Sequence, residues 1–69
     1  MIRKGTKVTW QWGSGTAEGK VIQTFKETIT KKIKGNEVKR KGSEEDKALL
    51  IEQEDGDKVL KLESEVKRL

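Results

Sequence analysis

The side chains that could do chemistry in this chain of 69 residues are almost all Lys, Arg, Asp and Glu. The sequence contains no His and no Cys, so it lacks the commonest general base and the most nucleophilic thiol. Its three Ser residues (14, 43 and 64) have no neighbouring group that would activate them. The composition therefore predicts a protein that is not an enzyme and has no catalytic residues.

Three consecutive acidic residues, Glu44, Glu45 and Asp46, come closest to a metal site. A hard cation such as Ca²⁺ takes about six to eight oxygen ligands, which three neighbours in one loop rarely provide. We therefore expect a solvated acidic loop, no metal and no cofactor. The segment Gly13-Ser14-Gly15 is an equally poor phosphate loop, because no Gly-Lys-Ser/Thr follows it and the next element reads as a strand.

Charge is spread unevenly along the chain, although the formal net charge is only +4. Residues 26–41 hold seven basic and two acidic side chains, hence +5, whereas residues 44–57 hold one basic and seven acidic, hence −6. If residues 29–41 form a hairpin, its tip and solvent face make a basic finger. Such a finger can neutralise phosphates through a salt-dependent attraction that ignores sequence.

The basic finger predicts a binding module that contacts nucleic acid mainly at phosphate, with low specificity. Three alternatives stay open. The charges can serve solubility and attract the acidic segment. The chain can be a protein-interaction module that pairs through a sheet edge or self-associates through its complementary charged segments, or it can hold a small-ligand pocket near Trp12. The candidate binding residues are Trp12, Lys31, Lys34, Lys39, Arg40 and Lys41.

Aromatic side chains are scarce, since Trp10, Trp12 and Phe25 are the whole inventory. An aromatic cage for a ligand would consume all three and empty the core. Trp10 lies in the middle of a predicted strand and is expected in the core. Trp12 stands beside the Gly13-Ser14-Gly15 loop, where either a core or a surface position is compatible with the pattern.

The apolar pattern indicates strands. Residues 8–12 alternate apolar and polar, which is the period of a half-buried strand, and a three-residue loop at 13–15 leads into a second strand. Residues 20–34 are ambiguous, because their apolar side chains fit one strand face (Val21, Phe25, Ile29, Ile33) and also a helical stripe that starts at Ile22. Frequent β-branched residues favour the strand.

Further along, Gly35-Asn36 reads as a two-residue turn and Asp55-Gly56 as a type I′ turn. Residues 48–52 consist of four consecutive apolar residues and Glu52, which predicts a central strand buried on both faces. A single helical turn is expected at residues 63–66, after which Val66 or Leu69 would close the core.

Five or six short antiparallel strands in one domain, residues 1–69, predict an all-β fold, either a small barrel or two packed sheets. The absence of Cys excludes stabilisation by disulfides. No apolar segment approaches the roughly 20 residues that span a bilayer. No secretory signal is recognisable at the N-terminus, so a cytoplasmic protein is expected.

Several stretches, in this order, resemble the hypervirulence-associated Tudor-domain family of small proteins. The first is Gly5-x-x-Val8-x-Trp10-x-Trp12-Gly13-x-Gly15-x-Ala17-x-Gly19-x-Val21, and the others are residues 33–38, 42–46 and 50–61. The resemblance implies an SH3-like, Tudor-type barrel and favours strand over helix for residues 20–34. It carries over no catalytic residue.

Overall fold

A computed structural model describes residues 2–33 and 35–69 of the chain. These residues contain no α-helix, and the only helical segment among them is a 3-10 turn at Glu63–Glu65. The predicted all-β class is therefore confirmed, and so is the helical turn near residue 64. The strands are β1 (Lys7–Trp12), β2 (Gly15–Phe25), β3 (Thr28–Ile33), β4 (Asn36–Lys41), β5 (Ala48–Gln53), β6 (Lys58–Leu62) and the two-residue β7 (Lys67–Arg68).

The strands form two hydrogen-bonded antiparallel sheets. One has five strands in the order β6-β5-β2-β1-β7, and the other is the β3–β4 hairpin. The hairpin contacts the larger sheet at β6, through both β4 and β3. This arrangement is a small Tudor-type fold in which the hairpin is a separate layer over one end of the main sheet.

Strand β5 organises the interior because both of its faces are buried. Leu49 and Ile51 point into one apolar cluster, whereas Ala48 and Leu50 point into a second cluster on the opposite face. All four side chains are at most 9% exposed. The continuous apolar run at 48–51 therefore correctly predicted a central strand that is covered on both sides.

The first cluster, which we call the main core, lies on one face of the five-stranded sheet. Trp10 is 6% exposed there and packs with Val8 and Val21, which confirms the expected core position of this tryptophan. Val66, just beyond the 3-10 turn, also joins this cluster. Of the two residues proposed to close the core, Val66 does so, and Leu69 stays 64% exposed.

The second cluster is the interface between the main sheet and the hairpin. Ala48, Leu50 and Leu60 supply its buried part from the main sheet. The apolar side chains packed against them come mostly from β2 and the hairpin, and they are Ile22, Phe25, Ile29, Ile33, Val38 and Leu62. Burial of this cluster holds the hairpin on the sheet.

Strand β2 changes face partway along, which the sequence pattern did not show. Val21 pairs with Ile51, but Gln23 pairs with Leu50, so the register shifts across Ile22. An extra residue in one strand reverses the face on which later side chains emerge. The prediction that Val21 shares a face with Phe25 is therefore wrong: Val21 lies in the main core and Phe25 in the hairpin interface.

The turns differ in detail from the sequence prediction. Trp12 pairs with Gly15, so the first hairpin loop has two residues rather than three. Ile33 pairs with Asn36, which places Asn36 in β4 and not in a turn. Between β5 and β6, the Gly56 N–H donates to the Gln53 carbonyl at 2.9 Å, and Gly56 has a φ of +89°. This is a β-turn followed by a left-handed glycine, and the predicted two-residue type I′ turn is wrong.

Candidate nucleic-acid interface

The β3–β4 hairpin has one face against the protein and one face in solvent, because strand side chains alternate. Ile29, Ile33 and Val38 are half-buried against the main sheet. The opposite face is exposed, and it carries Thr28, Thr30, Lys32, Glu37, Lys39 and Lys41. The hairpin therefore presents three lysines, two threonines and one glutamate to solvent.

The cross-strand register fixes how these exposed side chains are arranged. Thr28 lies opposite Lys41, and Thr30 lies opposite Lys39. Two residues along one strand are separated by about 7 Å, which is the spacing of Lys39 and Lys41 on β4. Lys32 follows on β3 as the diagonal neighbour of Lys39. We call Lys32, Lys39 and Lys41 the basic row.

The basic row has one carboxylate beside it. Glu37 is directly opposite Lys32 and on the same exposed face. Its negative charge lowers the local potential at that end of the row, so the Lys39–Lys41 end attracts anions more strongly. The threonine hydroxyls opposite Lys39 and Lys41 can donate hydrogen bonds to the same anion.

Two of the predicted binding residues lie on the protein-facing side of the hairpin. The Arg40 Nε donates to the Glu65 Oε1 at 3.2 Å, and its Nη1 donates to the Lys39 carbonyl at 3.0 Å. The Lys31 Nζ lies 5.4 Å from the centroid of the Phe25 ring, a cation–π distance. In this arrangement both side chains hold the hairpin on the sheet.

Glu65 is a shared acceptor at this contact. Its Oε1 also accepts from the Leu62 N–H at 2.9 Å, at the start of the 3-10 turn. The Arg40–Glu65 pair is about one-third exposed on both sides, at 34% and 37%. An ion pair of that exposure contributes at most about 1 kcal/mol, so the apolar interface supplies most of the stability of the contact.

The remaining predicted binding residues are Lys34 and Trp12. Lys34 lies outside the described residues. Trp12 is 63% exposed at the end of β1, opposite Gly15, which resolves the open choice in favour of a surface position. Trp12 pairs with Gly15 at the start of β2, whereas the hairpin packs against Ile22 and Phe25 toward the other end of that strand. Trp12 and the basic row therefore belong to different parts of the molecule.

Lys32 is an exposed basic residue that was absent from the sequence-based candidates. The signal that could have identified it is strand alternation. If Ile29 and Ile33 face the core, the even-numbered positions of β3 face solvent, and Lys32 does so while Lys31 does not. The charge count included Lys32, but it did not assign a face to each lysine.

The acidic loop has a structural use in this fold. The Asp46 Oδ1 accepts from the Ser64 N–H at 2.9 Å, and the Oδ2 accepts from the Ser64 hydroxyl at 2.8 Å. These bonds tie the loop before β5 to the 3-10 turn.

Within residues 2–33 and 35–69, no group of three or more acidic, His or Cys side chains is placed to hold a metal ion. The same residues include no helix with the length and apolarity that crossing a membrane requires.

Fold and surface together define a class: a small antiparallel β domain with a charged, exposed hairpin. The family model described as "Hypervirulence associated proteins TUDOR domain" matches residues 5–66, and the chain belongs to this family. The resemblance seen in the sequence is thereby confirmed. Neither the curated proteins nor the solved structures that were compared contain a significant match. Tudor domains are in general non-catalytic binding modules, and they bind protein or nucleic acid.

Proposed function

We propose that this domain is a non-catalytic module that binds nucleic acid by its phosphates, through the exposed face of the β3–β4 hairpin. The observation that supports this best is the basic row, in which three lysines line one exposed face at strand spacing. Phosphate contacts from lysine fix position but read no bases, so affinity should vary little with sequence. The proposal places the protein in the cytoplasm, where nucleic acid is accessible.

The contacts that attach the hairpin to the main sheet support the same proposal. Arg40 and Lys31 are engaged with Glu65 and Phe25. Among the described residues, the cations that project from the solvent face of the hairpin are therefore those of the basic row. The apolar interface beneath keeps this face in a fixed orientation, which lowers the entropic cost of ordering it on a ligand.

We expect the triple variant Lys32→Ala, Lys39→Ala, Lys41→Ala to lose most nucleic-acid binding. Each lysine–phosphate contact on a single strand contributes a slope of about −0.7 to a plot of log K against log salt. The variant should therefore lose a slope of about −2 relative to the wild type, with affinity at low salt reduced by roughly tenfold or more. Fluorescence anisotropy of a labelled oligonucleotide across a salt series measures both quantities.

The matched control removes three lysines from the five-stranded sheet instead. Lys7, Lys20 and Lys67 are all exposed strand residues, and their replacement with Ala lowers the net charge by the same amount. The control should keep most of the affinity and the salt slope. If both triple variants weaken binding equally, only total charge matters and the hairpin is not the binding surface.

A second candidate function, binding of a protein partner, is favoured by Trp12. This side chain is 63% exposed, and it lies within an uncharged stretch, residues 8–17, of a chain that is 41% charged. Exposed tryptophan in a charge-poor patch is typical of protein-interaction hot spots.

Self-association is the version of this function that can be tested without knowing a partner. If it operates through Trp12, light scattering should show a wild-type oligomer that Trp12→Ala converts to a monomer. Nucleic-acid affinity should not change in this variant. A wild-type monomer at every salt concentration would rule out self-association. A loss of oligonucleotide binding in Trp12→Ala would indicate that nucleic acid binds at β1 and not at the hairpin.

A further inference from the structure

A cleft lies between the end of β3 and the loop that joins β5 to β6. Its volume is about 310 Å³. Ligand pockets range from about 300 to 1,000 Å³, so this one suits a ligand of the smallest class. We call it the hairpin cleft, and its lining consists of Lys31, Lys32, Ile33, Leu50, Gly56, Asp57 and Lys58.

The lining combines an apolar floor with a cationic rim. Ile33 is half-buried and Leu50 is 9% exposed, so both present a limited apolar surface. Three lysines, Lys31, Lys32 and Lys58, outnumber the single carboxylate of the lining, that of Asp57, so the rim carries a net positive charge. A ligand that fits both features is small, has an apolar part and carries an anionic group.

Lys58 can turn toward such an anion at little cost. Its Nζ lies 3.8 Å from the Glu52 Oε2, and both side chains are close to half exposed, at 47% and 48%. An exposed ion pair of this length is weak, so an arriving phosphate can compete with Glu52.

Lys32 connects the hairpin cleft to the basic row, because it belongs to both. An anionic chain that is bound along Lys41 and Lys39 can therefore continue past Lys32, so that its next units reach the cleft. A second cavity, of about 390 Å³, is lined by three carboxylates (Glu18, Glu52 and Glu54) against two lysines (Lys7 and Lys20). Its excess of negative charge disfavours phosphate.

We propose that the hairpin cleft takes one nucleotide unit of a single-stranded nucleic acid. The base lies on Ile33 and Leu50, its phosphate lies between Lys32 and Lys58, and the neighbouring phosphates follow the basic row. This inference rests on the proposed function and specifies it further. A base can enter the cleft only when it is unstacked and unpaired, so the domain binds single strands in preference to duplexes.

The experiment compares four probes on the full chain: uridine monophosphate, inorganic phosphate, a single-stranded oligonucleotide of about eight residues, and the duplex of the same length. Binding is followed by amide chemical shifts. Uridine monophosphate should bind more tightly than phosphate and shift the amides of Ile33, Leu50 and Lys58. The single strand should bind at least about fivefold more tightly than the duplex, because the duplex must first unstack a base.

The variant Lys58→Gln should weaken binding of uridine monophosphate and of the single strand by about threefold to tenfold, the effect of losing one charge-assisted contact. Lys67→Gln removes the same charge from an exposed strand residue outside the cleft and should have no effect. Equal affinity for uridine monophosphate and phosphate, equal affinity for single strand and duplex, or equal behaviour of the two variants would each overturn the inference.

The proposal for the cleft and the proposal for the basic row can be tested separately. Lys39 and Lys41 are not among the residues that line the cleft, so the double variant Lys39→Ala, Lys41→Ala tests the row alone. If this variant loses oligonucleotide binding while Lys58→Gln behaves as wild type, the proposed function stands and the cleft is wrong. If the double variant binds oligonucleotides as wild type does, the proposed function fails.

Discussion

Leu49→Ala is expected to leave most of the protein unfolded at room temperature. Leu49 is fully buried at 0% exposure, on the central strand β5 and in the main core. Truncating a buried leucine to alanine costs about 2–5 kcal/mol, through lost burial and the cavity that remains. A core in a domain this small supplies only about 3–5 kcal/mol in total. Urea unfolding followed by far-UV circular dichroism measures the loss.

The same substitution at Leu69 is the matched control. Leu69 is 64% exposed, so its truncation should change the free energy of unfolding by less than about 0.5 kcal/mol. If Leu49→Ala unfolds at the same urea concentration as Leu69→Ala, then Leu49 is not packed in the core and β5 is not buried on both faces.

Gly42→Ala is expected to destabilise the domain and to displace the hairpin. Gly42 is buried between β4 and β5. A Cβ there would lie 2.7 Å from the Phe25 carbonyl oxygen, 2.8 Å from the Glu27 carbonyl oxygen and 2.9 Å from the Ala48 nitrogen. All three are backbone atoms, which cannot turn aside as a flexible side chain would. Overpacking of this kind costs about 1–3 kcal/mol, and the strain falls on the connection that positions the basic row.

The Gly42 variant has a matched control in Gly15→Ala. A Cβ at Gly15 meets no atom within 4 Å, so this change should be close to neutral. Thermal unfolding and oligonucleotide binding should both distinguish the two variants, with Gly42→Ala lower in midpoint temperature and in affinity. Equal midpoint temperatures would show that a Cβ at Gly42 can be accommodated and that the backbone there is not closely packed.

The sequence contained enough information to predict the strands that dominate the core. The apolar run at residues 48–51 has the length of a strand, and a strand that is apolar on both sides must be covered on both sides. Trp10 was predictable for a similar reason, since it alternates with polar neighbours inside a regular strand. In both cases the local pattern and the tertiary environment agree.

The bulge at Ile22 and the strand boundary after Phe25 were not predictable in the same way. Residues 20–34 read as one continuous segment, yet β2 ends at Phe25 and β3 begins at Thr28. The break contains Lys26 and Glu27, which are not strong turn residues. Pairing with β5 and close packing around Gly42 impose the turn, and both contacts are distant in sequence.

The candidate site was predictable as a segment but not as a surface. The net charge of residues 26–41 correctly pointed to the hairpin as the basic element of the fold. Strand alternation around Ile29 and Ile33 assigns Lys32 to the solvent face, but a net charge summed over the segment does not distinguish Lys32 from Lys31. The hairpin cleft was not predictable either, because it forms between β3 and the β5–β6 loop, two segments that only the fold brings together.

The most direct test of the account is a map of amide chemical shift changes on adding a single-stranded oligonucleotide at low salt. We expect the largest changes on the hairpin, at Lys32, Lys39 and Lys41, and at Lys58 beside the cleft, with little change at Trp12. Changes concentrated around Trp12, with the hairpin amides unmoved, would contradict the proposal that the exposed face of β3–β4 binds nucleic acid.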